Sequence, residues 1–204
     1  SFSICTASFV KNINIVGNDH THIKIILREI QHPIPSKNDS TLALEDRNRI
    51  YNLGLFSTVE IKQVDSSYTI LLVETFRFIP IPIVEHSDAK GWSYGGGIAF
   101  LNFRGLNQKL IFGGEIGEET TYFLYFSDPW LIGDHVSLSG SIGQVSGKNP
   151  FHSYNYKRKG FSIGTGFYKK KYHKFNILMG IEYTIIDTSE INVTILEKYD
   201  NIPI

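Results

Sequence analysis

The stretch "GWSYGGGIAFLNFRGLNQKLIFGGEIGEETTYFLYFSDPWLIG", from Gly91 to Gly133, decides the fold class of this chain. It consists of short segments in which apolar residues alternate with small or polar ones, and glycine-rich turns separate the segments. Alternation with a period of two places the apolar residues on one face of a β-strand. Two folds produce this pattern: a membrane barrel, whose apolar face meets lipid, and a soluble sandwich, whose apolar face meets a second sheet.

The composition argues against a helical membrane protein. The chain has 204 residues and a formal net charge of zero. No apolar run reaches the roughly 18 residues that a transmembrane helix needs. Aromatic residues make up 13% of the chain and there are 18 glycines, which favours strands and turns. A barrel is compatible with this composition because only every second residue of each strand faces lipid.

The first nine residues, "SFSICTASF", are apolar or small. Cys5 is the only cysteine, so no disulfide can form within the chain and no cysteine cluster can bind a metal. The run Cys5-Thr6-Ala7 resembles the small-x-small end of a cleaved secretory signal. We therefore expect residues 1–8 to be a signal-peptide remnant or an N-terminal extension. A lipid anchor on Cys5 is disfavoured because Ile4 is a poor residue before it.

The chain divides near Arg77 into a mixed N-terminal part and an all-β remainder. The alternating segment Lys11 to Val16 predicts a strand. Thr21 is suited to cap a following helix, which Pro33 and Pro35 then stop. The residues expected on the inner face of this helix recur at intervals of three and four: Ile23, Ile26, Leu27 and Ile30.

A second helix is predicted from Thr41 to Asn52, with Gly54 ending it. We expect Leu42, Ile50 and Tyr51 to face inward and the charged residues Glu45, Asp46, Arg47 and Arg49 to face outward. Val59 to Val64 and Tyr68 to Val73 then predict a hairpin joined by the polar turn Asp65-Ser66-Ser67. The result is a β-α-α-β-β unit, a three-stranded sheet with both helices on one face.

This unit resembles a POTRA domain, the periplasmic module of BamA-type outer-membrane proteins. The resemblance is carried by four segments: "INIVGND" with Thr21, from Ile13; "LREI", from Leu27; "RNRIYNLGLFSTVEI", from Arg47; and "LLVE", from Leu71. It implies a POTRA-like periplasmic domain over residues 9–76. The candidate motif residues are Gly17, Asn18, Gly54 and Phe56.

Two prolines restrict the backbone hydrogen bonding of the segment "FRFIPIPIV", Phe76 to Val84. Pro80 and Pro82 lack amide hydrogens, and because they are two residues apart the missing donors fall on the same edge of a strand. The segment is therefore a linker or a barrel strand with a weak seam. From Ile79 onward the sequence is similar to the start of the BamA-type barrel, in which the first and last strands pair weakly as a lateral gate. The candidate seam residues are Phe78, Pro80, Pro82 and Val84.

Further strands are predicted after this first one. They are Trp92–Asn102, Lys109–Ile116, Thr120–Phe126, His135–Val145, Gly160–Lys169 and Lys174–Ile186, with a partial strand near Ile191. Residues 77–204 thus supply the N-terminal part of an antiparallel barrel with seven or eight strands, where the BamA type has sixteen. The chain is then a fragment, a small eight-stranded barrel or one part of an assembly, because open edges do not persist in lipid. The later "VRGF"-type motif of the family is absent from it.

The strands from His135 onward show the cleanest alternation. Val136, Leu138, Gly140 and Ile142 share one face, and Ser137, Ser139, Ser141 and Gly143 share the other. If the POTRA-like domain is periplasmic, "NFRGLNQ", "SDPWLIGD" and "KKKYH" are periplasmic turns, and Gln144 to Lys159 is the longest outer loop. The candidate turn residues are Arg104, Gly105, Asp128, Pro129 and Trp130.

Enzymatic motifs are weak. Gly95-Gly96-Gly97 lacks the Lys-Ser/Thr of a phosphate-binding loop and lies inside a strand pattern. His20 and His22 are the only close histidine pair, and no partner completes a metal site. Asp128 in "SDPW" is suited to a turn rather than to catalysis. We expect no catalytic, cofactor-binding or metal-binding residues, and no nucleic-acid partner, because the basic run Lys169 to Lys171 lies in a neutral chain.

Two classes of function follow from the resemblance. The first is outer-membrane protein assembly or translocation, in which the POTRA-like sheet receives an unfolded client strand and the weak seam passes it into the bilayer. The second is a non-catalytic structural or anchoring protein, such as a surface antigen. A third interpretation is the membrane anchor of an enzyme domain outside this sequence. The implied partners are unfolded outer-membrane or secreted clients, outer-membrane lipid, and periplasmic or lipoprotein components.

Overall fold

The computed structural model describes residues 9–64, 66–88, 91–133, 136–149, 152, 154–169 and 173–187. The predicted signal remnant with Cys5 and the partial strand near Ile191 lie outside these residues. The chain divides into two compact units. The first unit comprises Ser1–Ile79, Phe100–Lys109 and Asp128–Asp134, and the second comprises Pro80–Ala99, Leu110–Ser127 and His135–Ile204.

The N-terminal stretch of the first unit forms a small mixed sheet with two helices. The elements are β1 (Phe9–Val10), β2 (Asn12–Val16), α1 (Ile23–Leu27), β3 (Ser36–Lys37), α2 (Ser40–Asn52), β4 (Phe56–Val64) and β5 (Ser67–Glu74). The strand order of the main sheet is β2-β5-β4, with β2 parallel and β4 antiparallel to β5. The short strands β1 and β3 pair with each other. The predicted three-stranded sheet is present, and the β1–β3 pair is an addition to it.

The core of the first unit lies between this sheet and the helices. Alternate residues of β5 are buried, and they pack with residues of β4 and both helices. The buried cluster is Val10, Ile25, Ile26, Ile50, Leu55, Phe56, Val59, Tyr68, Ile70 and Leu72. At about 1.5–3 kcal/mol for each fully buried large apolar side chain, this cluster is the main stabilising contribution of the unit.

Helix α1 is shorter than its sequence pattern predicts. It covers only Ile23–Leu27, its N-cap is His22, and Thr21 does not cap it. Ile25 and Ile26 are buried, whereas Ile23 and Leu27 are exposed, so the predicted inner face is wrong for those two. The helix ends well before Pro33. The reason is that Thr21 is used elsewhere, and Gln31 and His32 donate their backbone amides to Asp46 instead of continuing the helix.

Helix α2 agrees with its prediction in position but not in its buried face. It runs from Ser40 to Asn52, and Asp39 caps it by accepting hydrogen bonds from two backbone amides. Ile50 is buried as expected, but Tyr51 is exposed and Asp46 is fully buried. Asp46 accepts hydrogen bonds from the amides of Gln31 and His32, from the Tyr68 hydroxyl and from Arg49. These donors offset the cost of burying a carboxylate, which is why an acidic residue faces the core.

The remaining strands form one antiparallel sheet in the order β12-β11-β10-β9-β8-β7-β6. Their bounds are β6 Phe78–Ser87, β7 Gly91–Phe103, β8 Gln108–Ile116, β9 Glu119–Ile132, β10 Val136–Lys148, β11 Asn155–Lys169 and β12 His173–Asp187. No helix in the described part of the chain is long and apolar enough to cross a membrane.

Two connections differ from those predicted. Strand β9 runs through Asp128, Pro129 and Trp130, so "SDPWLIGD" is mostly strand and not turn. Strands β10 and β11 pair as far as Lys148 with Asn155, so most of the predicted outer loop Gln144 to Lys159 is paired sheet. Polar residues carry this pairing, and a hydrophobicity pattern does not detect it.

The pairing of β10, β11 and β12 brings their apolar residues onto one face. Phe161 of β11 lies opposite Ile142 of β10 and Ile181 of β12. Ile142, Phe161, Ile163, Phe167, Phe175, Ile177, Met179 and Ile181 are all exposed, with Ile181 at 74%. A sandwich would bury this face against a second sheet, whereas a barrel presents it to lipid. The exposed apolar face therefore favours the barrel.

The opposite face of the same strands is mostly small and polar, although Leu178 of β12 also lies on it. The hydroxyls of Ser141 and Ser162 lie 2.7 Å apart, and Ser139 lies opposite Gly164. Arg158 and Glu182 form an ion pair at 3.4 Å on this side. Small and polar residues on one face with large apolar residues on the other are the distribution of a membrane barrel wall.

Candidate functional site

Strand β6 is the terminal strand of the described sheet, and its prolines face the free edge. The Arg77 carbonyl accepts a hydrogen bond from Leu101 N of β7 at 2.8 Å. The Ile81 carbonyl lies 3.5 Å from the position that a Cβ on Gly96 would take. The backbone N–H and C=O groups of the odd-numbered residues of β6 therefore point toward β7. Since successive residues of a strand direct these groups to opposite sides, the nitrogens of Pro80 and Pro82 face the free edge, where they supply no donor.

The side chains beside these prolines are apolar and exposed. Phe78 and Val84 are both more than half exposed. On the neighbouring strand, Trp92 stacks with Tyr94 at 6.1 Å between ring centroids, and His86 of β6 lies 4.7 Å from Trp92. Exposed aromatic and aliphatic side chains along an edge strand form a surface that lipid or another strand can cover.

In the first unit, Glu74 holds the segment that precedes α1. Its carboxylate accepts hydrogen bonds from the amides of Thr21 at 2.7 Å and His20 at 3.2 Å, and the His20 ring nitrogen Nδ1 lies 3.1 Å away. Burial alone would raise the pKa of Glu74, but the hydrogen bonds from Thr21 and His20 outweigh it, so the pKa lies below its ordinary value. Glu74 is thus held in its ionised form.

The turn between β7 and β8 is fixed to the same segment. Asn102 donates from Nδ2 to Thr21 Oγ1, and the amide of His22 donates to the Gly105 carbonyl at 2.9 Å. Gly105 has a φ of +72°, and a Cβ there would lie 2.1 Å from the His20 carbonyl oxygen. Only glycine fits this turn at this approach. We call Thr21, Glu74, Asn102 and Gly105 the turn clasp.

A second set of buried contacts joins the start of β8 to the end of β9. Gln108 donates from Nε2 to Asp128 Oδ2 at 2.6 Å, and Asp128 Oδ1 accepts from the amide of Trp130 at 2.9 Å. Trp130 packs against the core, and the Arg28 guanidinium lies 4.3 Å from its ring centroid. Asp128 is therefore a buried structural acceptor within strand β9, and its side chain binds the amide two residues further along the chain.

The predicted motif residues of the N-terminal part take structural positions. Gly17 and Gly54 both have positive φ, and a Cβ on Gly17 would lie 2.0 Å from the Leu72 carbonyl oxygen. Asn18 donates from Nδ2 to the Thr21 carbonyl at 3.1 Å, and Phe56 is buried in the core. These contacts shape the loop that presents Thr21.

The β7–β8 turn matches its prediction as a turn. Arg104 and Gly105 lie at its tip, and both have positive φ. The residues that anchor it were not predicted: Thr21, Glu74, Asn102 and Gln108. Their buried positions depend on partners far away in sequence, and Asn102 and Thr21 are 81 residues apart. The one local signal is the polar identity of Asn102 and Gln108 at the two ends of otherwise apolar strands.

A comparison with protein families finds one match, and it lies in the C-terminal half of the chain. Residues 102–200 match the Omp85 superfamily domain. These residues, just under half of the chain, are similar to that family. The resemblance to BamA-type proteins that the sequence indicates is thereby confirmed, and the seven-stranded sheet resembles part of an Omp85 barrel.

Solved structures support the Omp85 fold. BamA from Haemophilus ducreyi lacking POTRA domains 1–3 matches with a TM-score of 0.68 and 24% identity, over 97% of this chain and 40% of that one. CdiB from Acinetobacter baumannii matches with a TM-score of 0.51 and 11% identity, over 89% and 39%. CdiB from Escherichia coli matches with a TM-score of 0.51 and 12% identity, over 88% and 37%. The chain thus spans 37–40% of the length of these structures.

Proposed function

We propose that this chain is part of an outer-membrane barrel that passes unfolded client proteins into or across the bilayer without covalent chemistry or a cofactor. The observation that carries the proposal is the edge strand β6. Both of its prolines turn to the free edge, at the end of a sheet whose apolar face is exposed. A strand that pairs with this edge loses two hydrogen bonds, at about 1 kcal/mol each. The pairing is therefore weak enough for a client strand to compete for it.

We assign residues 9–76 to a POTRA-like periplasmic domain and residues 77–204 to the N-terminal part of the barrel. In support, the first part has the order β-α-α-β-β with a three-stranded sheet, apart from the short β1–β3 pair. An edge of that sheet would receive an extended segment of the client. Phe78, Pro80, Pro82 and Val84 would form the seam, and the clasped β7–β8 turn would face the periplasm.

The test is client folding by the full chain reconstituted into liposomes. We expect it to speed the folding of a small unfolded outer-membrane barrel, measured as a heat-modifiable band on gels. A double variant, Pro80→Ala with Pro82→Ala, restores both donors to the free edge and strengthens its pairing. We expect it to slow client folding by about thirtyfold, because two hydrogen bonds of about 1 kcal/mol each are gained.

Pro33→Ala is the matched control, because it changes a loop proline away from the seam and keeps the carbonyl that Ser36 uses. We expect it to act as the wild type does. If the wild-type chain leaves the folding of every client unchanged, the assembly function fails. A structural or anchoring role is then the better interpretation.

A further inference from the structure

A side chain of helix α2 is hydrogen-bonded to the backbone of β4 at the free edge of that strand. Strand β4 ends the three-stranded sheet, with β5 on its other side. Arg47 of helix α2 donates from Nε to the Val59 carbonyl oxygen at 3.0 Å, although the side chain is otherwise exposed. The guanidinium also donates from Nη1 to Asn48 Oδ1 at 3.2 Å. Arg47 thus lies along the edge at which a further strand would pair.

The direction of the Val59 carbonyl identifies which peptide groups of β4 are offered to such a strand. Val64 and Ser67 are partners at the closed end of the β4–β5 hairpin, and Val59 lies opposite Leu72. Because peptide groups alternate in direction, a Val59 carbonyl that reaches Arg47 points away from β5, and so does that of Ile61. An incoming strand therefore meets a row of acceptors that begins with the carbonyls of Val59 and Ile61, and Arg47 already occupies the first of these.

A groove beside this edge is shaped for an aliphatic side chain. Its volume is about 250 Å³, and its walls are Asn38, Ser40, Ala43, Leu44, Arg47, Ile61 and Tyr68. Leu44 is exposed, and Ala43 and Ile61 are partly buried against the core. A strand lying along β4 would place every second side chain over this groove, so an alternating apolar segment fits it.

A charged group lies close to the position of Arg47. The hydrogen bond and charge of Lys62 lower the pKa of Glu60, and the Arg47 charge adds to that effect. Glu60 is exposed on β4, next to Val59 in sequence. Glu60 is already paired with Lys62, at 2.8 Å between Oε2 and Nζ, so the Arg47 charge acts on it only as a further, weaker attraction.

We propose that Arg47 is a gate on the β4 edge, which blocks the Val59 carbonyl until an extended client segment with alternating apolar residues displaces it. The inference rests on the proposed strand addition to this sheet and adds its regulation. Arg47 sets a threshold: segments that pair over several residues and fill the groove displace the guanidinium, and short or polar segments do not. Removal of the guanidinium therefore lowers selectivity and raises affinity.

The test measures binding of a fluorescein-labelled peptide to the detergent-solubilised full chain by fluorescence anisotropy. The peptide is VSLSGSIGQVSGK, residues 136–148, an alternating barrel strand that represents an unfolded client. In Arg47→Met the donor is lost and most of the aliphatic stem stays. We expect about tenfold tighter binding, because the peptide no longer has to displace a charged hydrogen bond from the Val59 carbonyl. Arg47→Lys keeps the charge and a donor, and we expect it to bind within about threefold of the wild type.

Lys62→Met is the matched control, because it removes one positive charge from β4 without touching the Val59 carbonyl. We expect it to leave affinity unchanged. Hydrogen exchange of residues 56–64 must also slow when the peptide binds, which places the peptide on β4. If the wild type and Arg47→Met both fail to bind the peptide, strand addition fails, and the gate fails with it. If the wild type binds but Arg47→Met binds equally or more weakly, or β4 gains no protection, only the gate is overturned.

Discussion

Asn102 donates a hydrogen bond to the hydroxyl of Thr21 at 2.8 Å, and both side chains are more than nine-tenths buried. The two residues belong to different parts of the chain, yet they lie in the same compact unit. The side-chain oxygen Oδ1 of Asn102 is used as well, because it accepts a hydrogen bond from the backbone amide of Asn107 at 2.8 Å. One amide side chain therefore closes the β7–β8 turn and fixes it to the loop before α1.

Asn102→Ala is expected to free the β7–β8 turn. The change leaves the Thr21 hydroxyl and the Asn107 amide without their partner, which costs about 1–3 kcal/mol for each buried group. Hydrogen exchange of residues 103–108 in the detergent-solubilised full chain should become faster. Asn14→Ala, an exposed residue of β2, is the control and should not change exchange in the turn. Unchanged exchange in Asn102→Ala would contradict this account of the clasp.

Gly105→Ala and Gly133→Ala form a matched pair. Both glycines have positive φ, at +72° and +59°, so alanine is strained at either position by about 1–2 kcal/mol. A Cβ at Gly133 meets nothing within 4 Å, whereas at Gly105 it lies 2.1 Å from the His20 carbonyl oxygen. Gly105→Ala should therefore lower the urea midpoint of the full chain clearly more than Gly133→Ala. Equal midpoints would show that the close approach to His20 is not required.

Asp46→Ala should be among the most destabilising single changes in the first unit. Four donors converge on this buried carboxylate, and its removal leaves the amides of Gln31 and His32 without their acceptor and the Arg49 guanidinium without its buried partner. The expected cost is about 3–5 kcal/mol, typical of a broken buried charge pair. Glu45→Ala, one residue earlier and exposed, should cost less than about 1 kcal/mol. The measurement is urea unfolding followed by Trp130 fluorescence in a Trp92→Phe background.

Glu74 is expected to make the first unit sensitive to acid. Its pKa is lowered in the folded state, so its contribution to stability is present above the ordinary value of 4.5 and is lost as the pH falls below it. In the Trp92→Phe background, the urea midpoint should decrease as the pH is lowered through this range. Glu74→Gln cannot ionise and should show a smaller decrease. An identical pH dependence for both proteins would contradict the role of Glu74.

The sequence was sufficient to predict the fold where the signal is local and periodic. The alternation of Val136 to Ile142 correctly predicts which side chains share a face of β10, because a strand has only two faces. The sequence was not sufficient to predict which polar residues are buried. Asp46 was expected on the outside because all its hydrogen-bond partners except Arg49 are distant in sequence, including Tyr68, and no local pattern indicates them. Helix α1 failed for a related reason: in a helix of five residues, spacing does not determine whether Ile23 or Ile25 faces the sheet.

The two prolines of β6 also give the seam a direction. Pro80 and Pro82 lie in the half of β6 that begins at Phe78, whereas Val84 and His86 keep their amides. A strand paired with this edge would therefore separate first beside Phe78 and last beside Ser87. One partner strand would then replace another residue by residue, so the edge would never need to lose all of its hydrogen bonds at once.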